Sequence, residues 1–183
     1  MHKNPWTIIS SSPIYDNNWI NVVEHKVINP AGSDGVYGKV HFKNLAIGVV
    51  ALDEERNIYL VGQYRFTLDA YSWEIPEGGS PLGVDPLDSA KRELKEETGI
   101  IARDWKKLLD IHLSNSVSDE KGYIYLATGL EFSEAEPEET EELQVQKIAL
   151  EKAYQMVLDG TITDSLSVAG ILRTKILFAE KTT

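Results

Sequence analysis

Three glutamates with helical spacing, Glu93, Glu96 and Glu97, are the residues of this chain best suited to chemistry. On a helix, residues three and four apart are neighbours, so Glu93 lies beside both Glu96 and Glu97 on one face. Like charges at this spacing repel one another, so the helix gains no stability from them by itself. A hard cation reverses that balance, because Mg²⁺ binds oxygen ligands and is commonly held by carboxylates. The spacing therefore predicts a site for a divalent metal.

The residues around these glutamates predict the helix that presents them. Asp85 can cap its N-terminus, and Pro86 suits the first helical position. Asp88 lies near the positive end of the helix dipole, and Gly99 is a natural left-handed stop after the last turn. An apolar stripe, displaced around the helix from the glutamates, can pack on a core. The stripe consists of Leu87, Ala90 and Leu94.

The segment from Gly78 to Ile100 resembles the Nudix box, whose pattern is G-x5-E-x7-R-E-U-x-E-E-x-G-U, with U an aliphatic residue. Gly78 matches the opening glycine, and the second half of the pattern is matched by Arg92, Glu93, Leu94, Glu96, Glu97, Gly99 and Ile100. The first glutamate of the pattern is replaced by Val84. Because the matched half is long and specific, we favour this resemblance over a solvated acidic helix face.

The resemblance implies a metal site for two or three Mg²⁺ ions, with Mn²⁺ as an alternative. Glu93 and Glu97 would be the first ligands, and Glu96 would lie beside them. The backbone carbonyl of Glu77 would complete the site. Arg92 would hold the carboxylates through charge-assisted hydrogen bonds rather than touch the substrate.

The resemblance also implies a general base outside the box, on a loop just before a late strand. The candidates are Glu138, Glu139, Glu141 and Glu142. Among them Glu141 is the first choice and Glu139 the second. The alternative is that this glutamate-rich stretch is only a solvated loop.

Substrate contacts follow from the resemblance as well. Arg65 matches a position where an arginine can fork onto phosphate. Trp19 and Tyr37 correspond to aromatic rings that sandwich a nucleobase, which stack on any base with little selectivity. Glu74 is a candidate contact to the sugar or to a metal. The alternative for the two aromatic residues is packing within an N-terminal sheet.

Length, charge and composition narrow the class of protein. A chain of 183 residues is long enough for one domain with a sizeable core. Its formal net charge of −11 argues against a nucleic-acid binder, which would show a basic surface. It has no cysteine, so disulfides and thiolate chemistry are excluded. It has neither an apolar run of the ~20 residues that a membrane span needs nor an apolar signal segment at its start, so we expect a cytoplasmic protein.

The pattern along the chain predicts an α+β fold with a mixed sheet and helices on its faces. The predicted strands are 19–28, 36–42, 47–52, 58–64, 71–75, 108–113, 122–128 and 143–148, and the predicted later helices are 150–158 and 166–179. The strands 47–52 and 58–64 flank a turn and are expected to form a hairpin.

The resemblance implies that this fold is an α/β/α sandwich with a small N-terminal antiparallel sheet. We therefore divide the chain into an N-terminal β-sheet segment, 1–43, and a Nudix hydrolase domain, 44–183. Such a sheet is typical of the ADP-ribose and nucleoside diphosphate sugar pyrophosphatase branch of the family. Enzymes of this branch are usually homodimers that exchange the sheet, so the segment would serve dimerisation and form part of the substrate site.

The expected function is Mg²⁺-dependent hydrolysis of the diphosphate linkage of a nucleoside diphosphate sugar, of the ADP-ribose, ADP-glucose or GDP-mannose type. The products would be a nucleoside monophosphate and a sugar phosphate. Members that prefer ADP-ribose often carry a proline about fifteen residues beyond the box, and the segment 113–120 has none. The alternatives are a Nudix hydrolase of dinucleoside polyphosphates, coenzyme A or oxidised nucleoside triphosphates, and a non-catalytic nucleotide-sensing domain.

Overall fold

Ten strands and three helices build the part of the chain that the computed structural model describes, residues 3–135 and 143–179. The strands are β1 (Thr7–Asp16), β2 (Ile20–Ile28), β3 (Asp34–Phe42), β4 (Asn44–Ala51), β5 (Asn57–Arg65), β6 (Ala70–Glu74), β7 (Glu77–Pro81), β8 (Ile100–His112), β9 (Lys121–Phe132) and β10 (Gln144–Ala149). The helices are α1 (Pro86–Thr98), α2 (Leu150–Leu158) and α3 (Ser165–Ala179). Neither described range contains a helix with the length and apolar character needed to cross a membrane.

The first three strands form a separate antiparallel sheet in the order β1-β2-β3. The register of β2 and β3 runs from Ile20 opposite Phe42 to Ile28 opposite Asp34. The turn between them is closed by Asn29, whose side chain accepts hydrogen bonds from the backbone of Ala31 and Ser33. Strand β1 is exposed along its whole length, so this sheet buries little of its own surface.

The predicted hairpin of β4 and β5 is wrong, because the two strands belong to different sheets. Strand β4 lies inside a mixed sheet of order β7-β4-β9-β8, parallel to β9 and antiparallel to β7. Strand β5 lies inside an antiparallel sheet of order β10-β5-β6. Both edges of β4 are already paired, so the chain crosses between sheets after Leu52, which keeps one isolated bridge to Ile58.

The sheets β10-β5-β6 and β7-β4-β9-β8 are covered by α1 on one side and by α2 and α3 on the other, which confirms the predicted α/β/α sandwich. Strand β4 shows why: its side chains alternate between the two faces. Ile47, Val49 and Ala51 pack with Leu94 of α1, whereas Val50 packs on the side of α2 and α3. Both faces of β4 are therefore buried against helices.

The predicted box helix is confirmed at both ends. The Asp85 side chain accepts a hydrogen bond from Leu87 N at 2.9 Å, and Pro86 begins the helix. Gly99 ends it in the left-handed conformation, with φ of 69°, and donates its N–H to Lys95 O at 2.8 Å. Ala90 and Leu94 are fully buried, so the predicted apolar stripe faces the core.

Replacing Gly99 tests how strictly this helix end is defined. An alanine there would take a strained φ, and its Cβ would overlap Ser133 O. We expect Gly99→Ala to lower the free energy of unfolding by about 2–4 kcal/mol in urea titrations. The matched control is Gly160→Ala, which has φ of +79° but no atom within 4 Å of the added Cβ, and should lose only about 1 kcal/mol. Equal losses in the two variants would contradict the steric argument.

Candidate active site

The box loop and the box helix meet at Gly78, where backbone and carboxylate approach very closely. Strand β7 pairs with the beginning of β4, Gly78 opposite Ile47, and this pairing holds the loop against α1. The carboxylate of Glu93 lies so near Gly78 that a Cβ at that position would overlap all three of its atoms. A side chain at position 78 would therefore displace the Glu93 carboxylate.

The two glutamates expected to be the first metal ligands are both buried. Glu93 is 9% exposed and Glu97 is 3% exposed. Glu97 accepts a hydrogen bond from the backbone N–H of Glu77 at 3.0 Å, which fixes it against the same loop. Glu96 is further out, with 32% of its side chain exposed. Of the three glutamates of the helix, Glu93 and Glu97 are thus buried, and Glu96 is partly exposed.

Arg92 contacts the box carboxylates, as the sequence predicts. Its Nη1 donates to Glu96 at 2.6 Å, and its Nη2 donates to Glu93 at 2.6 Å and to Gly79 O at 2.9 Å. Burial opposes the charge of Arg92, but Glu93 and Glu96 together raise its pKa above the ordinary value.

Val84 occupies the box position that normally holds a glutamate, and it lies 44% exposed in the turn before α1. Its N–H donates to Pro81 O at 3.1 Å. Because Arg92 already has three acceptors, it does not depend on a carboxylate at this position.

Arg65 is held by two carboxylates rather than standing free for phosphate. Its Nε lies 3.0 Å from both oxygens of Glu74, and its Nη2 donates to Glu74 and to Glu77, each at 2.5 Å. Glu74 is only 2% exposed. Burial opposes the charge of Arg65, but the two glutamates raise its pKa above the ordinary value. These contacts link β5, β6 and β7 at the mouth of the box.

Glu77 has one carboxylate oxygen, Oε2, that is buried without a hydrogen-bond partner among the described residues. Burial, and then the charges of Asp164 and Glu74, raise the pKa of Glu77 well above its ordinary value, although Arg65 opposes the shift. A buried oxygen beside other carboxylates is most stable when it carries a proton or faces a cation. The donor chemistry here therefore fits a hard divalent cation.

The described residues do not form a complete metal-binding cluster by themselves. Within 3–135 and 143–179, no three acidic, histidine or cysteine side chains converge on one point. The loop glutamates Glu138, Glu139, Glu141 and Glu142 lie outside the described residues. Strand β9 ends at Phe132, and β10 begins at Gln144, opposite Gly62 of β5.

A cleft of about 360 Å³ opens beside the box and joins the N-terminal sheet to the sandwich. It is lined by Trp19, Phe42, Asn44, Leu45, Ala46, Arg65, Glu77, Gly78, Gly79, Leu113, Glu120, Asp164 and Leu166. Trp19, one of these lining residues, is 65% exposed. Its aromatic ring is thus available at the rim of the cleft, as a base-stacking residue requires.

Tyr37 lies in a different cleft from Trp19. This second cleft, of about 320 Å³, also contains Trp6, whose ring centroid lies 5.4 Å from that of Tyr37. The Tyr37 hydroxyl donates to Ser116 O at 2.5 Å. Within one chain, therefore, Trp19 and Tyr37 do not face the same base.

Sequence reasoning missed two acidic residues of the first cleft, Glu120 and Asp164. Asp164 accepts a hydrogen bond from Ser167 N at 2.7 Å, so it caps α3 as well as lining the cleft. Burial, and then the charge of Asp164, raise the pKa of Glu120. An aspartate before a helical apolar pattern predicts a cap, but nothing local indicates that it lies beside Glu77.

Comparisons with known proteins agree with this geometry. A model of the NUDIX domain matches residues 42–164, and a model of the nucleoside diphosphate sugar hydrolase N-terminal domain matches residues 6–40. The chain is 38% identical to an ADP-ribose pyrophosphatase of Mycobacterium tuberculosis over 131 residues, covering 69% of this chain but only 63% of that protein. It is 33% identical to the ADP-ribose pyrophosphatase of Bacillus subtilis, covering 69% of each.

A solved structure, described as an ADP compounds hydrolase, superposes with a TM-score of 0.87 over 99% of this chain and 98% of that one. At 20% identity this likeness supports the fold alone. The NUDIX match covers more than half of the 183 residues and includes the whole box. The chain with its buried carboxylates at Gly78 therefore belongs to the NUDIX family, and residues 6–40, which lie in its N-terminal sheet, match the model of the nucleoside diphosphate sugar hydrolase N-terminal domain.

Proposed function

We propose that this protein hydrolyses the diphosphate linkage of nucleoside diphosphate sugars, of the ADP-ribose, ADP-glucose or GDP-mannose type, with the help of Mg²⁺. The products are a nucleoside monophosphate and a sugar phosphate. The observation that carries the proposal is the cleft that places Trp19 of the N-terminal sheet and the box loop of Glu77 on the walls of one space. The ADP-ribose pyrophosphatases among the relatives support the substrate class.

In this proposal Glu93 and Glu97 hold the metal, with Glu96 beside them and the carbonyl of Glu77 at the edge of the site. Bound Mg²⁺ supplies neutralisation of the phosphate oxygens and a lowered pKa for an attacking water. Arg92 keeps the carboxylates oriented, because it contacts Glu93 and Glu96 at 2.6 Å. The site would hold two or three Mg²⁺ ions, and Mn²⁺ could replace them.

The remaining site residues bind the substrate or activate the attacking water in this proposal. Arg65 offers phosphate the edge of its guanidinium that Glu74 and Glu77 do not occupy. Trp19 stacks on the base, and Glu74 acts through Arg65 rather than on the sugar. The general base that takes a proton from water is a loop glutamate, with Glu141 first and Glu139 second.

We further propose that the N-terminal segment, 1–43, exchanges between two copies to form a homodimer. The support is its exposed apolar surface, which includes Ile8, Ile9, Ile14, Tyr15 and Val36. A second copy would bury these side chains, and exposed apolar surface of this kind is often found at protein interfaces. The exchange would also allow Tyr37 of one copy and Trp19 of the other to approach one base.

A substrate panel tests the proposed activity. Phosphate release, after coupling with a phosphatase, is measured with and without Mg²⁺ from ADP-ribose, ADP-glucose, GDP-mannose and UDP-glucose. A dinucleoside polyphosphate and a nucleoside triphosphate are the comparison substrates. We expect metal-dependent cleavage of the diphosphate sugars. Cleavage of the comparison substrates alone would replace the proposed substrate, and no cleavage of any compound would favour the nucleotide-sensing alternative.

The ligand assignment predicts that Glu97→Gln lowers turnover by about 10²–10³-fold, because the variant removes a charged metal ligand from a buried position. Circular dichroism should show an intact fold, since Gln retains an acceptor for the Glu77 N–H. The matched control is Glu131→Gln, a glutamate whose side chain is 66% exposed and pairs only loosely with Arg103 at 3.9 Å. Near-normal turnover of Glu97→Gln at saturating Mg²⁺ would show that the metal lies elsewhere.

The close approach of Glu93 to Gly78 predicts that Gly78→Ala weakens metal binding, whereas Gly79→Ala does not. Gly78→Ala displaces the Glu93 carboxylate, so we expect the Mg²⁺ concentration for half-maximal activity to rise by about tenfold or more. In Gly79→Ala the added Cβ meets only the Asn44 side chain, at 3.5 Å or more. The unfolding temperature of that variant should change little. If both variants required the same Mg²⁺ concentration, the position of Glu93 would not govern metal binding.

A further inference from the structure

The loop between β8 and β9, residues 113–120, contacts the N-terminal sheet, and the side-chain ion pairs of this contact converge on one carboxylate, Asp119. Asp119 accepts hydrogen bonds from Lys39 Nζ at 2.7 Å and from the backbone N–H of Phe42 at 3.1 Å. His41 Nδ1 lies 2.8 Å from the same carboxylate. All three partners belong to β3, whereas Asp119 belongs to the NUDIX domain, so this carboxylate connects the two parts of the chain.

Backbone contacts run along the same junction. Val40 N donates to Val117 O at 2.9 Å, and Asp119 N donates to Val40 O at 3.2 Å. The Tyr37 hydroxyl donates to Ser116 O, in the middle of the loop. Strand β3 and the loop thus share a short ladder, and Asp119 lies at the end nearest the substrate cleft, beside Phe42.

The charge of Asp119 is strongly stabilised in the folded protein. Burial opposes it, but hydrogen bonds from Lys39, His41 and Phe42 N lower the pKa of Asp119 to about 2. Because this value is below the ordinary 3.8, the carboxylate stabilises the fold above pH 3.8, and the contribution disappears as the pH falls through about 2. The Asp119 carboxylate is therefore ionised at neutral pH.

This junction lies between two walls of the proposed substrate cleft. Phe42 and Trp19 line the cleft from the N-terminal sheet, and Leu113 and Glu120 line it from the two ends of the loop. We propose that Asp119 is a positioning residue, which fixes the N-terminal sheet against the β8–β9 loop and so sets the distance between these walls. The inference rests on the proposed function, in which Trp19 receives the base while the box acts on the diphosphate.

The first test is Asp119→Asn, which keeps an acceptor for Phe42 N but removes the charge that holds Lys39 and His41. We expect the KM for the preferred nucleoside diphosphate sugar to rise by about tenfold, with kcat and the Mg²⁺ requirement within about twofold of wild type. The matched control is Asp53→Asn. Asp53 also binds a lysine, Lys147 at 2.7 Å, and a backbone N–H, that of Asn57 at 2.7 Å, but it lies beyond the opposite end of β4.

A double-mutant cycle and hydrogen exchange complete the test. Lys39→Met should raise KM, and adding it to Asp119→Asn should raise KM by less than the product of the single effects. Amide exchange in 113–120 and in 36–43 should accelerate in Asp119→Asn but not in Asp53→Asn. An equal effect of the two aspartate variants on KM, or unchanged exchange at the junction, would overturn the proposal. If the wild type cleaved no diphosphate sugar, the proposed function would fail, and the exchange experiment would still decide whether Asp119 fixes the sheet.

Discussion

The removal of two carboxylates from water is the constraint on which this active site depends. Glu93 and Glu97 are almost completely buried, and a buried charge is strongly unfavourable without partners. The partners come from the box itself: Arg92 contacts Glu93, and the N–H of Glu77 contacts Glu97. A bound divalent cation would add a positive charge beside these two carboxylates. The box arginine and the bare backbone at Gly78 thus have one physical purpose, which is to keep desolvated carboxylates in a defined place.

A second layer of charge surrounds this centre and gives it rigidity. Arg65 joins Glu74 and Glu77, so three strands are tied together by one guanidinium. Asp164 brings the start of α3 to the same place, although it lies far from Glu77 along the chain. One guanidinium lies among three acidic side chains, and displacing it would leave buried carboxylates without their cation, so one arrangement is favoured. The electrostatics of the cleft are therefore a property of the whole sandwich.

Three of the six edge strands of the described sheets depart from the predicted elements, whereas β3, β6 and β10 agree with them to within two residues. Strand β1 was not predicted separately, β7 was missed, and β8 begins at Ile100 rather than at the predicted Leu108. All three are edge strands, which need no continuous apolar pattern because part of their surface meets water. The central strands β4, β5 and β9 were recognised, since burial on both faces demands apolar residues throughout. The hairpin of β4 and β5 failed for a different reason, because strand pairing depends on which edges other strands have already taken.

The sequence by itself determined the box helix, its two caps, the face that carries its glutamates and the family to which it belongs. These features are local: capping, helical periodicity and carboxylate spacing act within a few residues of one another. Only the tertiary structure decided that Arg65 is held by Glu74 and Glu77, and that Trp19 and Tyr37 lie in separate clefts. It also decided that Asp119 joins the N-terminal sheet to the NUDIX domain. Such contacts join residues far apart in the chain, and their geometry is fixed by how sheets and helices pack rather than by any local pattern.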